Sequence, residues 1–310
     1  MKNKIVVIGS CNTDMVIKSE RLPVPGETIL GGTFLMNPGG KGANQAVAGS
    51  RLGGDVTFVC KIGNDLFGQQ SIELYDEENI NTDFVFKDNE LPSGVALITV
   101  DGKGENCIVV APGANSSLSK ADVDLARPAI ENADLLLMQL ETPVETVTYA
   151  AEKAKRNGVK VILNPAPAPA QPLPAELLEQ LYMIVPNKTE AQILSGVEVT
   201  DWESAHRAAD KISAKGVSVV VITLGSMGTL VKDGDHYHEI PVPVKVDAVD
   251  TTAAGDTFCG ALCVGITERM DLPDAVRFAN MAAGISVTRM GAQASIPFRS
   301  EIESQLITKK

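Results

Sequence analysis

The stretch ADLLLMQLETPVETVTYAAEKAKRNGVKVILNP, residues 133–165, contains two short apolar runs separated by a segment with a different period. The runs around Leu135 and Val161 have the length and the aliphatic composition of buried strands. Between them, residues 143–157 place apolar side chains at helical spacing. A strand, a helix and a second strand in this order predict two parallel strands covered by the helix.

This pattern extends along the chain. Four further apolar runs of the same kind centre on Ile5, Val56, Ile184 and Val219. Helical periodicity occurs at four more places, over residues 202–215, 253–268, 272–288 and 300–307. The alternation predicts an α/β fold with three layers, in which a mostly parallel central sheet lies between two layers of helices.

Two regions depart from this pattern. Residues 15–35 and 93–110 alternate apolar and polar side chains around glycine-containing turns, which predicts antiparallel strands with one solvated face. We expect them to form a small β-sheet lid, made by segments at about 13–37 and 93–110 that are inserted in a single domain spanning 1–310. Exposed strands of this sheet could pair between two subunits, so a homodimer formed through the lid sheet is expected.

The charge and the cysteine content limit the partners and the location. A net charge of -12 and a pI near 4.8 argue against nonspecific binding to nucleic acid or to an anionic membrane. No apolar run reaches the roughly 20 residues of a membrane span. The five scattered cysteines include no CxxC pair, which fits a reducing, cytoplasmic environment.

The string DTTAAGDTF, residues 250–258, places small residues between two acids where a helix is predicted to begin. Unpaired N–H groups and the helix dipole make such a turn a site for an anion, here formed by Ala253, Ala254 and Gly255. Asp256 would then lie beside the anion and could accept a proton from an attacking hydroxyl. An ordinary helix cap is the alternative interpretation of Asp256.

A second string, NPGGKGANQAVAGSRLG at residues 37–53, has glycines just before a predicted helix. Gly39 and Gly40 allow close backbone contact, and Lys41 and Asn44 could hydrogen-bond a polyol. The string is not a phosphate-binding loop of the GxxxxGK[ST] type, and no GxGxxG follows the first strand.

Together these strings resemble the two signatures of the ribokinase or PfkB carbohydrate kinase family, and the resemblance runs essentially end to end. Further matching strings are SCNTD at 10–14, MQLE at 138–141, PNKTE at 186–190 and TLGSMG at 223–228. The family signature usually has Gly at the position of Ala253, and Ala at this position resembles the ribokinase branch. Ala tolerates a positive φ less well than Gly, so the substitution matters little if Gly255 supplies the bend.

The resemblance implies a sugar site. Its residues bind hydroxyl groups, and carboxylates suit this role because each accepts several hydroxyl protons. The positions that match are Asn12, Thr13, Asp14, Gly40, Lys41, Gly42, Asn44, Glu141 and Asp256. Outside the family context, Asn12 could simply be a turn residue after the first strand.

For ATP, the resemblance points to a second group of residues. Asn187 and Glu190 are expected to order water around a Mg²⁺ ion that bridges the phosphates. The remaining positions are Thr223, Leu224, Gly225, Ser226, Gly228, Gly255 and Asn280. Two alternatives stay open: NKTE could be a helix cap with an acidic first turn, and TLGSMG could be a hairpin turn.

The resemblance also implies a site for a monovalent cation, usually K⁺. It would lie beneath the anion-holding turn and strengthen its positive potential. The matching residues are Asp250, Thr252, Ser286, Arg289, Gly291 and Ser295.

The expected activity is therefore MgATP-dependent phosphorylation of D-ribose at its 5-hydroxyl. Asp256 would be the base, and the N–H groups of Ala254 and Gly255 would receive charge from the γ-phosphoryl group. Alternatives are a sibling kinase acting on fructose, a deoxyribose or a nucleoside, a noncatalytic sugar-binding protein, and a dinucleotide oxidoreductase.

Overall fold

A computed structural model describes residues 3–103, 105–243 and 246–307. The strands are β1 Lys4–Ile8, β2 Asn12–Lys18, β3 Thr33–Gly39, β4 Asp55–Gly63, β5 Asn81–Asp88, β6 Gly94–Val100, β7 Asn106–Ala111, β8 Leu135–Met138, β9 Lys160–Leu163, β10 Met183–Ile184, β11 Val219–Thr223, β12 Thr229–Asp233 and β13 His236–Ile240. The α-helices are α1 Lys41–Arg51, α2 Leu66–Glu77, α3 Lys120–Leu125, α4 Arg127–Glu131, α5 Val144–Arg156, α6 Ala175–Leu178, α7 Lys188–Ser195, α8 Trp202–Ser213, α9 Ala254–Thr267, α10 Leu272–Ser286 and α11 Arg299–Ile307.

Nine of the strands form one sheet in the order β13-β12-β11-β10-β9-β8-β1-β4-β5. All neighbouring pairs from β11 to β5 are parallel. At the other edge β12 pairs antiparallel with both β11 and β13, so among the nine strands only β12 runs in the opposite direction. This sheet confirms the predicted fold class. The six apolar runs and the helices of the sequence analysis all lie where they were expected, within a few residues at each end.

Each face of this sheet buries its own hydrophobic core. One face packs against α1, α9 and α10 through residues such as Val47, Phe258 and Val276. The other face packs against α3 to α8, with Val147 and Ile212 among the buried residues. Alternate residues of one strand enter different cores, as Ile5 and Val6 of β1 do, because successive side chains of a strand point to opposite faces.

A second sheet has four strands in the order β3-β2-β6-β7. Its outer pairs are antiparallel as predicted, but the central pair β2 and β6 is parallel. The reason is topological: β2 follows β1 and β6 follows β5, and both leave the same edge of the parallel sheet in the same direction. Gly104, within the predicted segment 93–110, lies outside the described residues.

The direction in which strands are added to the sheet reverses at β1. The chain first adds β4 and β5 on one side of β1, and it later adds β8 and the following strands on the other side. Open α/β sheets bind ligands at such a switch point, beyond the carboxyl ends of the strands. Ser10, which follows β1, and Glu141, which follows β8, are hydrogen-bonded across this point. Within the described ranges, no helix has both the length and the apolar character needed to cross a bilayer.

Candidate active site

The residues of the string DTTAAGDTF form the beginning of α9, near the switch point. Asp256 lies in the first turn of this helix, and its side chain is only 6% exposed. Ala253 is the N-cap residue and adopts a left-handed conformation, with φ 59° and ψ 8°. The condition that Gly255 supplies the bend is therefore not met: Gly255 is helical, and Ala253 makes the turn.

The N–H groups of this turn are only partly free. Ala254 N–H donates to the carbonyl oxygen of Thr251 at 3.2 Å, so it is already paired, contrary to its expected role. Gly255 and Asp256 donate to no protein acceptor in the described part of the chain. A Cβ atom added to Gly255 would meet no atom within 4 Å, so open space adjoins this residue. The Ala253 N–H also has no acceptor among the described residues, so the free donors of the turn are those of Ala253, Gly255 and Asp256.

Two amide side chains of α1 hold the Asp256 carboxylate. Asn44 Nδ2 donates to Oδ2 at 2.9 Å, and Gln45 Nε2 donates to Oδ1 at 3.0 Å. Gln45 Nε2 also donates to Asn164 Oδ1 at 3.0 Å, and Gln139 donates to Gln45 Oε1. The strings at residues 37–53 and 250–258 therefore meet at the carboxylate of Asp256.

Asp256 belongs to a cluster of three carboxylates with one lysine. Burial and the charges of Glu141 and Asp256 raise the pKa of Asp14 to about 6. The charge of Asp256, followed by that of Glu141, raises the pKa of the Lys41 ammonium, although burial opposes this effect. The Lys41 backbone N–H donates to Glu141 at 3.0 Å. The cluster thus concentrates hydrogen-bond acceptors around one cation.

The expected sugar residues of β2 lie beside this cluster. Asn12 and Thr13 are buried, and Asn12 Oδ1 accepts a hydrogen bond of 2.8 Å from Asn115 Nδ2. Gly40 has φ 90°, and a Cβ atom there would lie 2.8 Å from the backbone nitrogen of Asn12. A Cβ atom on Gly42 would lie 2.5 Å from the Ser10 nitrogen, so both positions require glycine.

A cavity of about 310 Å³ opens against the start of α9. It is lined by Lys41, Asn164, Ala166, Val185, Asn187, Glu190, Thr223, Thr251, Thr252, Ala253, Gly255, Asp256 and Cys259. Residues of the expected sugar, nucleotide and cation groups therefore share one cavity, although they are far apart in sequence.

Asn187 and Glu190 form a capping box at the start of α7. Asn187 Oδ1 accepts from the Glu190 backbone N–H, and Glu190 Oε2 accepts from that of Asn187. The helix-cap interpretation of NKTE is thus confirmed, and both residues nevertheless line the cavity. Burial raises the pKa of Glu190, and the charge of Asp256 adds to this effect.

The string TLGSMG joins the antiparallel strands β11 and β12. It is therefore a hairpin turn, which was the alternative interpretation of this string. The turn also lies at the carboxyl end of a parallel strand, beside the cavity. Thr229, directly after it, donates to Asn280 Oδ1 at 2.8 Å, which places Asn280 against the same turn. Asn280 Nδ2 is buried without a partner among the described residues.

Of the expected cation residues, the structure joins three directly. Asp250 Oδ1 accepts from Thr252 N–H and Oδ2 accepts from Gly291 N–H, each at 2.9 Å. The Ser286 and Ser295 hydroxyls donate to carbonyls within their own helical turns, at Ala283 and Ala292. The Arg289 guanidinium pairs with Glu301, so it takes no part in this group.

Sequence reasoning missed several residues of the site: Ser10, Gln45, Asn115, Gln139 and Asn164. Most of them follow the carboxyl end of a parallel strand, which is the one signal that could have indicated them. Within the ranges that the structure describes, no group of three or more His, Cys, Asp or Glu could hold a metal ion.

The fold and the site define an α/β protein in which a helix start with free N–H groups, a buried carboxylate and several hydrogen-bonding side chains border one cavity. The chain belongs to the pfkB family of carbohydrate kinases, whose model matches residues 2–299. This membership confirms the resemblance found in the sequence, and it makes the chain an ATP-dependent sugar phosphotransferase.

Individual relatives agree with this assignment. A ribokinase of Haemophilus influenzae is 46% identical, and the match covers 97% of each chain. A deoxyribokinase of Salmonella typhi is 37% identical over 94% of this chain and 95% of its own. The structure of an Arabidopsis thaliana ribokinase complexed with ribose and ATP is 34% identical, with a TM-score of 0.91 over 99% of both chains.

Proposed function

We propose that the protein transfers the γ-phosphoryl group of ATP to the 5-hydroxyl of D-ribose, giving D-ribose 5-phosphate and ADP. The observation that carries this proposal is the position of the Asp256 carboxylate. It borders the same cavity as Gly255, Lys41 and Asn187, so one space reaches the base, the anion-binding turn and the expected nucleotide residues. The 46% identical ribokinase relative supports the choice of ribose.

In the proposed step, Asp256 accepts the proton of the ribose 5-hydroxyl, and the oxygen of that hydroxyl forms a bond to the γ-phosphorus. The bond between that phosphorus and the bridging oxygen breaks, and ADP leaves with the electron pair. The N–H groups of Gly255 and Asp256 have no other acceptor among the residues that the structure describes, and they stabilise the charge on the phosphoryl oxygens. Lys41, whose pKa is raised, adds a fixed positive charge beside them.

The sugar would be held by acceptors and donors placed around the Asp256 carboxylate. Asp14 and Glu141 accept hydroxyl protons, and Asn12 and Asn44 supply amide groups. Backbone contacts come from Thr13, Gly40, Lys41 and Gly42, which lie where β2 meets the start of α1. A site with many directional partners discriminates against an analogue that lacks one hydroxyl, because a buried polar group is then left unpaired.

The nucleotide would occupy the side of the cavity formed by Asn187, Glu190 and Thr223. Leu224, Gly225, Ser226 and Gly228 form the adjoining turn, and Asn280 Nδ2 there has no partner in the described part of the chain. A Mg²⁺ ion fits this side because such ions keep several waters and need few protein ligands, here the polar groups of Asn187 and Glu190. When bound, it neutralises charge on the transferred phosphoryl group.

We further propose a K⁺ site at Asp250. The carboxylate joins Thr252 and Gly291, directly before the turn that begins α9. Hydrogen bonding to Thr252 and Gly291 lowers the pKa of Asp250 although burial opposes it, so a carboxylate is present at neutral pH. The Ser286 and Ser295 hydroxyl oxygens keep acceptor capacity after donating their protons, whereas Arg289 could contribute only backbone atoms.

The four-stranded sheet would act as the lid of a single kinase domain and as the contact of a homodimer. The face of this sheet opposite to Asp14 exposes Ile17, Phe34, Met36, Leu97 and Val109, each at least 45% accessible. A contiguous apolar face of this kind usually marks a protein contact. Closure of the sheet over the site would exclude water, which otherwise competes as phosphoryl acceptor.

A second candidate substrate is deoxyribose, because the 37% identical relative is a deoxyribokinase. It would use the same base and the same anion-binding turn. Only the residues around the missing hydroxyl would need to differ.

The test is an ADP-release assay with ribose, deoxyribose, fructose and a nucleoside, in K⁺ and again in Na⁺. We expect the highest kcat/KM with ribose, little ADP release without sugar, and a lower rate in Na⁺. A higher kcat/KM with deoxyribose would replace the proposed substrate, and no sugar-dependent ADP release would overturn the proposal. An unchanged rate in Na⁺ would remove the K⁺ site alone.

A further inference from the structure

Gln45 is fully buried, and its side-chain amide contacts the Asp256 carboxylate directly. Nε2 lies 3.0 Å from Asp256 Oδ1 and 3.0 Å from Asn164 Oδ1, so both of its N–H groups are used. No sequence signal gives this residue a role, since it is the amide next to Asn44 in the string GANQA.

The orientation of the Gln45 amide is fixed by a backbone carbonyl. Asn164 Nδ2 donates to the carbonyl oxygen of Val185 at 2.8 Å, and a carbonyl can only accept. Asn164 must therefore turn its oxygen toward Gln45, and Gln45 must turn its nitrogen toward Asn164 and Asp256. Gln139 donates to the remaining Gln45 oxygen, which completes the chain of hydrogen bonds.

This chain connects the Asp256 carboxylate to the rigid sheet. Gln139, Asn164 and Val185 follow the carboxyl ends of the neighbouring strands β8, β9 and β10. Asp256 itself lies in the first turn of α9, where its own N–H and that of Gly255 donate to no acceptor among the described residues. The sheet thereby sets the position of Asp256 Oδ1 through Gln45.

We propose that Gln45 is a positioning residue for Asp256. This inference rests on the proposed function, in which Asp256 is the base. Gln45 holds Oδ1 on the protein side, and Oδ2, which contacts Asn44 at 2.9 Å, is left for the acceptor hydroxyl. Because misplacement of a reacting group by about 1 Å can cost roughly 10²-fold in rate, loss of this hydrogen bond acts on kcat.

Two variants test the proposal. Gln45→Leu removes all three side-chain hydrogen bonds of Gln45, those with Asp256, Asn164 and Gln139, at similar volume. We expect kcat to fall about 10- to 100-fold while the ribose dissociation constant changes less than about threefold. Gln45→Glu places a second carboxyl against Asp256, and two carboxyls at this distance share a proton. The acidic limb of its kcat profile then shifts to higher pH.

The control is Thr146→Val, which removes one buried hydrogen bond, to Leu118, on the opposite layer of helices. Thr146→Val should leave kcat and the pH profile of kcat unchanged, although this variant also loses thermal stability. The inference is overturned if Gln45→Leu keeps the wild-type kcat, or if the acidic limb of Gln45→Glu does not move. If Gln45→Leu does not fold, the pH profile of Gln45→Glu decides. Wild-type protein without ribose-dependent turnover would refute the proposed function instead.

Discussion

Asn44 Nδ2 lies 2.9 Å from Asp256 Oδ2, although 212 positions separate the two residues. The contact joins the start of α1 to the start of α9, which lie side by side on one face of the parallel sheet. Since the acceptor hydroxyl must approach the same oxygen, Asn44 and the sugar would share Asp256 during the reaction. The first prediction concerns this carboxylate.

Asp256→Asn should lower kcat with ribose at least about 10²- to 10⁴-fold, because the variant cannot accept a proton. Ribose binding should persist, since the amide still fits the pocket and other residues supply most hydrogen bonds. Kinetics and calorimetric titration with ribose measure the two effects. The control is Asp274→Asn, an exposed acid on α10 paired with Arg277, which should leave both unchanged. Turnover near the wild-type value in Asp256→Asn would disprove the assigned role.

The raised pKa of Asp14 predicts opposite effects on stability and on binding. Its pKa is about 6 in the folded protein and about 3.9 in an unfolded chain, so the folded state binds the proton more tightly. The charged form is therefore disfavoured by folding, and the free energy of unfolding falls as pH rises from about 4 to about 6. Asp14→Asn removes this penalty, which is at most about 3 kcal/mol.

We expect Asp14→Asn to raise the melting temperature at pH 7.5 more than at pH 4.5, and to weaken ribose binding at pH 7.5. In the wild type, ribose affinity should fall as pH is lowered through about 6, because protonation removes acceptor capacity from Asp14. Thermal melts and titrations at several pH values measure both. A stability difference that does not depend on pH would contradict the argument.

Ala253→Gly should preserve or raise stability. Ala253 has φ 59°, and this left-handed conformation costs about 1–2 kcal/mol for a residue with a Cβ atom. Glycine avoids that cost but loses about 0.5–1 kcal/mol through its greater freedom in the unfolded chain. We expect a net gain of about 0–1.5 kcal/mol in denaturant titrations.

The matched control for this substitution is Ala254→Gly, one residue later. Position 254 is helical, so the same change there should destabilise the protein by about 0.5–1 kcal/mol. If both variants lose the same stability, the left-handed conformation of Ala253 carries no cost and the argument fails.

The apolar face of the small sheet predicts a dimer that should dissociate when lysines are introduced on this face. Leu97→Lys combined with Val109→Lys places two ammonium groups on neighbouring strands of this face. We expect sedimentation to show dimers for the wild type and monomers for the double variant, with the same circular dichroism. Val24→Lys is the control, because Val24 is 61% exposed but lies outside the strands. A monomeric wild type would refute the proposed contact.

Local features of the fold could be read from the sequence, and long-range ones could not. The strands around Leu135 and Val161 and the helix between them were predicted because their periods depend only on adjacent residues. The parallel pairing of β2 with β6 was missed, because it follows from where the two strands leave the large sheet. That Ala253 and not Gly255 makes the left-handed turn could not be read from the sequence, since glycine is the usual residue for that conformation.

The sequence by itself determined the small residues and the acid at the start of α9, the glycines before α1, and hence the family. These features are contiguous in the chain, so their chemistry is visible in the order of residues. Only the tertiary structure decided that Gln45, Gln139 and Asn164 hold Asp256, and that Asp14 is crowded by Glu141. Hydrogen bonds and charges act over a few ångströms of space, and folding alone sets which distant residues come within that range.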